Sequence, residues 1–240
     1  MQESKVFFDR LLAFGFWGHD LVSDMLSRFH PLIKRFLLAS AFLSLFTFFI
    51  PVLAFLRGDF GETAGNLLIG ILFLSPLAAL FRMRLLLLLM GLRRELGILM
   101  GCLALVHGVG YLVNPNLWRI GQPFFESGML FWEKGVVAGM IGLLLTLPLL
   151  LTSNNFSVRF LGGRAWKRLH RLAYPAFFFI VFHRFLMAET SESIIPFLEA
   201  FLLIGSYLTV KFLAWRPATF PWFQEIIVKV GIRYREYRAE

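Results

Sequence analysis

Six apolar blocks divide this chain, at about 36–56, 63–81, 92–113, 135–152, 169–187 and 194–214, each bounded by charges or turn residues. A bilayer core about 30 Å thick takes roughly 20 apolar residues per helix, so each block is of the length a crossing needs. Only short connectors remain between them, too short for a separate soluble domain. With 58% hydrophobic and 16% charged residues and a mean hydropathy of +0.71, a water-solvated surface is excluded. The apolar residues follow neither a heptad nor an alternating-strand period. The expected fold class is an all-α integral membrane protein, a six-transmembrane-helix bundle over 36–214.

The basic residues set the expected orientation. Twenty of the 24 Lys and Arg fall on one side of six alternating crossings, against four (Arg57, Arg119, Lys134 and Arg184) on the other. By the positive-inside rule both termini are expected to be cytoplasmic. The formal charge of +9 is then topological, and nucleic acid is not needed as a partner. Membrane lipids are. Residues 1–35 carry Phe7, Leu11, Phe14, Val22, Met25 and Phe29 at helical spacing with charges between them, and 215–240 is similar but more basic. Both are read as interfacial amphipathic helices. The N-terminus shows no removable signal peptide. The long connector 114–134, with Trp118 and Trp132, is expected to form an interfacial aromatic belt.

Chemistry has few places to reside. Cys102 is the single cysteine, so no disulfide or multi-cysteine metal site is available. Walker, dinucleotide, Gly-x-Ser-x-Gly and His-Glu-x-x-His motifs are missing from the sequence. Of five histidines, His107, His170 and His183 fall inside expected crossings, where an ionisable group is costly and marks a site by default. His170 and His183 lie thirteen residues apart on the fifth block, about 20 Å at 1.5 Å per residue, which suits two stacked levels. His107 lies at the height of His183, so two imidazoles could supply both axial ligands of one haem iron. Arg93 stands at the inner height, where His170 faces no second histidine. On an ideal helix His170 and His183 would point about 140° apart; Pro175 between them offers a kink that would change that phase.

Several neighbours have two readings each. Arg171 and Arg184 could pair with haem propionates or snorkel to head groups. Arg164, Trp166, Lys167 and Arg168 form a patch fit for a flavin phosphate or an acidic donor protein, and plain cytoplasmic anchoring accounts for it as well. Tyr174, one turn from His170, could bond a ligand or simply pack. The glycines of the third block permit close approach of a helix or of a flat macrocycle.

Arg93-Arg94-Glu95-Leu96-Gly97 leading to His107, with the stretch LGGRAWKRLHRLAYPAFFFIVFH from Leu161 to His183, resembles the ferric-reductase-like transmembrane domain. Within that family the likeness is to the haem-binding membrane subunits of bacterial methionine sulfoxide reductase systems, over about 36 to 214. The resemblance implies heme b, one or two per chain, with electrons passing from the cytoplasmic to the periplasmic side. It implies FMN or a quinone as inner donor or a cytoplasmic flavin reductase, and a separate periplasmic molybdenum reductase as acceptor. Carried over by position, His107 and His183 would be ligands of the outer haem and His170 would belong to an inner haem or flavin level. Arg93 would replace a histidine of the four-histidine pattern. The alternatives are a stand-alone conduit with another acceptor, a proton-coupled transporter using the same histidines, and a structural or assembly subunit.

Overall fold

The structure is a computed structural model that describes residues 2–50, 53, 55–81, 83–113, 134–188, 195–215 and positions 225, 228, 229 and 232; for 2–14, 112–113, 188 and 195–197 it describes the backbone alone. The connector 114–133, with Trp118 and Trp132, and most of the tail beyond 215 lie outside the described residues. All regular structure among the described residues is helical. The helices are α1 (Gln2–Phe46), α2 (Leu56–Phe81), α3 (Arg84–Met90), α4 (Arg93–Val113), α5 (Lys134–Leu151), α6 (Asn155–Leu161), α7 (Gly163–Leu169), α8 (Ala173–Ala188) and α9 (Ile195–Trp215). Each of the six apolar blocks meets one of the longer helices. Among the described residues four helical stretches are long and apolar enough to cross a membrane: Gly15–Phe49, Leu56–Phe81, Lys134–Leu151 and Leu198–Trp215. In α4 the charges Arg93, Arg94 and Glu95 occupy the first turn, and α8 has only 16 residues.

The first block differs from its expected bounds. No break separates a surface helix from a crossing at residue 35; α1 runs unbroken through Pro31 to Phe46 and ends in a 3-10 turn, Thr47–Phe49. The stop is local chemistry. Pro51 cannot supply a helical N–H and pushes the preceding residue out of the helical region, and Ile50 is extended, with φ −111° and ψ 98°.

The described residues fall into two compact units, one of 35–72 with 93–207 and the other drawn from 1–34, 73–92 and 208–240. In the second unit, polar residues of the N-terminal stretch of α1 have partners on α3. Asp24 pairs with Arg84, and His19 Nε2 accepts the N–H of Leu85 at 3.4 Å, satisfying a free donor of the first turn of α3. The charged face read as interfacial is thus partly an intramolecular contact. Farther on, exposed Glu225 pairs with Lys229 at 2.7 Å, one turn away.

The first unit holds the three site histidines. Its centre is α5, which runs antiparallel to both α4 and α8. On one flank Gly101 and Gly108 of α4 receive Leu150 and Leu143; on the other, Gly142 receives Ile180 and Gly135 receives Met187. Such glycines let helices approach closely where lipid supplies no hydrophobic drive between them. Leu68, Val106, Ala138, Ala176 and Val181 are buried between helices, whereas Leu144, Phe178, Phe182 and Phe201 are exposed, as lipid-facing residues should be.

Candidate functional site

The site is built where α2, α4, α5 and α8 meet. His107 on α4 and His183 on α8 face one another with ring centroids 6.3 Å apart and planes 69° apart. His107 Nδ1 lies 2.7 Å from the carbonyl oxygen of Arg57 on α2. His183 Nδ1 lies 2.7 Å from that of Gly135 on α5. A carbonyl only accepts, so each Nδ1 carries the proton and each neutral ring keeps its lone pair on Nε2. Both histidines line a cavity of about 820 Å³, within the range of small-molecule and cofactor pockets. Its walls are mostly apolar, with the small residues Gly61, Gly65, Ala104, Gly108 and Gly139 among them.

Polar groups are few around this cavity. Arg184 lines it and donates to Asn66 Oδ1 at 2.7 Å and to Glu199 Oε1 at 3.2 Å. Tyr111 meets the His107 ring edge-on, 5.1 Å between centroids. Behind His107, Arg57 is only 7% exposed; its Nη1 donates to Gly110 O at 3.1 Å while its buried Nε has no hydrogen-bond partner among the described residues. Among the described residues no three His, Cys, Asp or Glu side chains converge as a metal cluster.

His170 stands elsewhere. It begins a 3-10 turn, His170–Leu172, ahead of α8, so the straight-helix phase between His170 and His183 does not apply. Thr152 Oγ1 donates to Pro148 O at 2.6 Å, and His170 Nε2 lies 3.1 Å from the same hydroxyl. With the hydroxyl proton committed, Nε2–H of His170 is the donor. Trp166, four residues earlier, stacks on the imidazole at 3.9 Å and donates Nε1–H to Thr152 O at 2.9 Å. The Trp-x-x-x-His spacing thus caps the C-terminal end of α5 with two donors. His183 bonds Gly135 near the start of α5 and His170 bonds Thr152 just past its end, about 25 Å apart along the axis.

The structure therefore brings His107, His183 and Arg184 together at the cavity, and His170, Trp166 and Arg93 together at the other end of α5; Arg93 is in electrostatic contact with His170. Arg164 and Arg171 are exposed, and Tyr174 packs near Tyr207, 6.5 Å between centroids. Sequence reasoning missed Arg57, Gly61 and Gly139. A buried arginine between apolar blocks and glycines at the height of the histidines were the available signals.

The family described as ferric reductase like transmembrane component matches residues 60–181, half of the chain, including His107 and His170 and ending two residues before His183. The chain belongs to this family. It is a multi-pass membrane protein, as the family and its apolar helices require. Among its relatives is the protein-methionine-sulfoxide reductase heme-binding subunit MsrQ of Agrobacterium fabrum, 32% identical over 142 residues, 58% of this chain and 62% of the relative. The MsrQ of Brucella ovis is 35% identical over 126 residues, 52% of each chain. Magnetosome protein MamZ of Magnetospirillum gryphiswaldense is 28% identical over 124 residues, 52% of this chain and 18% of MamZ. This ferric-reductase-like chain thus spans about half to three fifths of the length of these two MsrQ relatives. No solved structure matches it.

Proposed function

We propose that this chain is a membrane electron conduit in which His107 and His183 hold one b-type haem by their Nε2 atoms. The observation that carries the reading is the pair of imidazoles across one cavity, each with Nδ1 committed to a carbonyl. Metal–imidazole bonds are about 2 Å long, and the ring centre lies about 1 Å beyond the nitrogen, so two imidazoles on one iron have centroids about 6 Å apart. The observed 6.3 Å meets that requirement, and the small-residue walls leave room for a flat macrocycle. A haem held by His107 and His183 would supply a one-electron iron couple suited to electron transfer.

The chain's own residues do the rest. The Arg57 and Gly135 carbonyls fix the tautomer of each ligand and raise its basicity. Arg184, beside His183 on α8, lines the cavity and offers a guanidinium for a propionate. At the other end of α5, His170 has its Nε2 turned to Thr152 and its face to Trp166. That supports a planar donor there, FMN or a quinone, better than a second iron; Arg93, Arg164 and Arg171 add positive charge for a phosphate or for an acidic cytoplasmic flavin reductase. The names of the MsrQ relatives, heme-binding subunits of a protein-methionine-sulfoxide reductase, support an acceptor that acts on methionine sulfoxide; in this reading it is a periplasmic reductase of the MsrP type. The basic excess supports both termini cytoplasmic in the inner membrane.

Purified protein from haem-sufficient cells should show a Soret band that shifts on dithionite reduction. His107→Ala and His183→Ala should each remove most of it, while His170→Ala should retain it. A colourless wild-type preparation would end this reading, and haem loss on His170→Ala equal to that of the other two would end the single-haem form of it.

A further inference from the structure

Two helices grip the two site histidines by the same device. His107 reaches the carbonyl of Arg57 on α2, and His183 reaches that of Gly135 on α5, both at 2.7 Å. In an α-helix such a carbonyl already accepts the N–H of the residue four places on, and in both helices that residue is glycine, Gly61 and Gly139. A Cβ on Gly61 would overlap the His107 ring, and one on Gly139 would stand 2.8 Å from His183 Nδ1. Each imidazole thus lies over a bare Cα, in space a side chain would fill, and takes a second bond on the flank of a carbonyl already in use.

We propose that Gly61 and Gly139 are positioning residues, one for each iron ligand: their missing side chains admit the Nδ1–H···O=C bond that fixes the tautomer and leaves Nε2 for the cavity. The proposal rests on the iron-ligand reading above and goes beyond it in assigning the outer partners. Donation from Nδ1 makes Nε2 a stronger base, so the two glycines also act on the redox couple. Other glycines of the same helices are different. Gly142 of α5 receives Ile180, with a Cβ contact of 2.9 Å, and Gly65 of α2 would make only ordinary contact, 3.6 Å from Arg184. Neither touches a histidine.

The test uses the full chain carrying Gly61→Ala, Gly139→Ala or Gly142→Ala. Haem affinity, the low-spin ferric signal in electron paramagnetic resonance, and midpoint potential are read for each. Gly61→Ala and Gly139→Ala should weaken haem binding about 10- to 100-fold, the range for loss of an outer partner of a metal ligand. Haem that remains should show a changed low-spin signal and a higher potential. Gly142→Ala, an equal steric insult to α5 at a position that does not line the cavity, should leave signal and potential at wild-type values. Wild-type signal and potential in the first two variants would overturn the proposal, and so would an identical shift in Gly142→Ala. Nitrogen-15 histidine spectra of the reduced wild-type protein test it without substitution: two strongly bonded Nδ1–H signals are expected, and unbonded ones overturn it. A haem-free wild type would overturn the iron-ligand reading itself, whereas a haem-loaded one with indifferent glycine variants removes only the positioning role.

Discussion

Arg57→Met tests whether the buried guanidinium supports the fold. Arg57 is almost wholly buried, donates one bond to Gly110 O, and leaves Nε unpartnered; no salt bridge to it occurs among the described residues. Placing a cation at the centre of a membrane helix costs about 2.5–3.5 kcal/mol on insertion scales, an upper bound for Arg57 at the start of α2, and a hydrogen bond from a charged group returns about 1.5–3 kcal/mol. The difference leaves the side chain between neutral and about 2 kcal/mol unfavourable. Methionine keeps the stem volume, and the bond from His107 survives because it goes to the backbone carbonyl of residue 57. In haem-free protein from haem-limited cells, Arg57→Met should unfold in detergent at the wild-type temperature or a few degrees above it. A loss of more than about 1 kcal/mol, the mean for a single mutation, would refute the reasoning, since the charge would then have compensation that the geometry lacks.

Other outcomes follow from single contacts. Thr152→Val removes the hydroxyl that receives His170 Nε2–H, and should cost about 1–3 kcal/mol by thermal unfolding while haem per protein stays at the wild-type value. Cys102 is buried, so a maleimide should label it only after denaturation; rapid labelling of folded protein would contradict the α4 packing. The Asp24–Arg84 pair is roughly half exposed, so Asp24→Asn should change stability by less than about 1 kcal/mol. Lys229, bonded to Glu225, holds that carboxyl below the usual glutamate range. Any stability the pair gives is present above the unfolded-state pKa and lost as pH falls through the lowered one; carbon-13 carboxyl titration should find the depressed midpoint, and an ordinary one would contradict the contact.

Much of the architecture could be read from the chain because apolar block length is imposed by the bilayer and is indifferent to packing detail. The join at residue 35 could not. The chain reads as a surface helix over 1–35 followed by a separate block at 36–56, whereas α1 runs unbroken from Gln2 to Phe46 and stops ahead of Pro51. Counting heights along α4 and α8 put His107 level with His183, and the rings do meet. The same counting treated His170 as part of one straight helix, and the 3-10 turn at 170–172 invalidates that phase. Arg57, Gly61 and Gly139 were not legible because their roles exist only between helices: a carbonyl becomes a second-bond acceptor when its neighbour four residues on lacks a Cβ and a histidine from another helix lies above it. The third-block glycines, open to two readings in the chain, mostly receive neighbouring side chains: Leu150 at Gly101, Leu143 at Gly108 and Arg57 at Gly110.

The most direct test is spin quantitation of the oxidised, purified protein by electron paramagnetic resonance, set against protein concentration. One low-spin ferric centre per chain is expected, with none left in the His107→Ala, His183→Ala double variant. A high-spin centre, or a low-spin signal that persists in the double variant, would show that these two imidazoles do not share an iron.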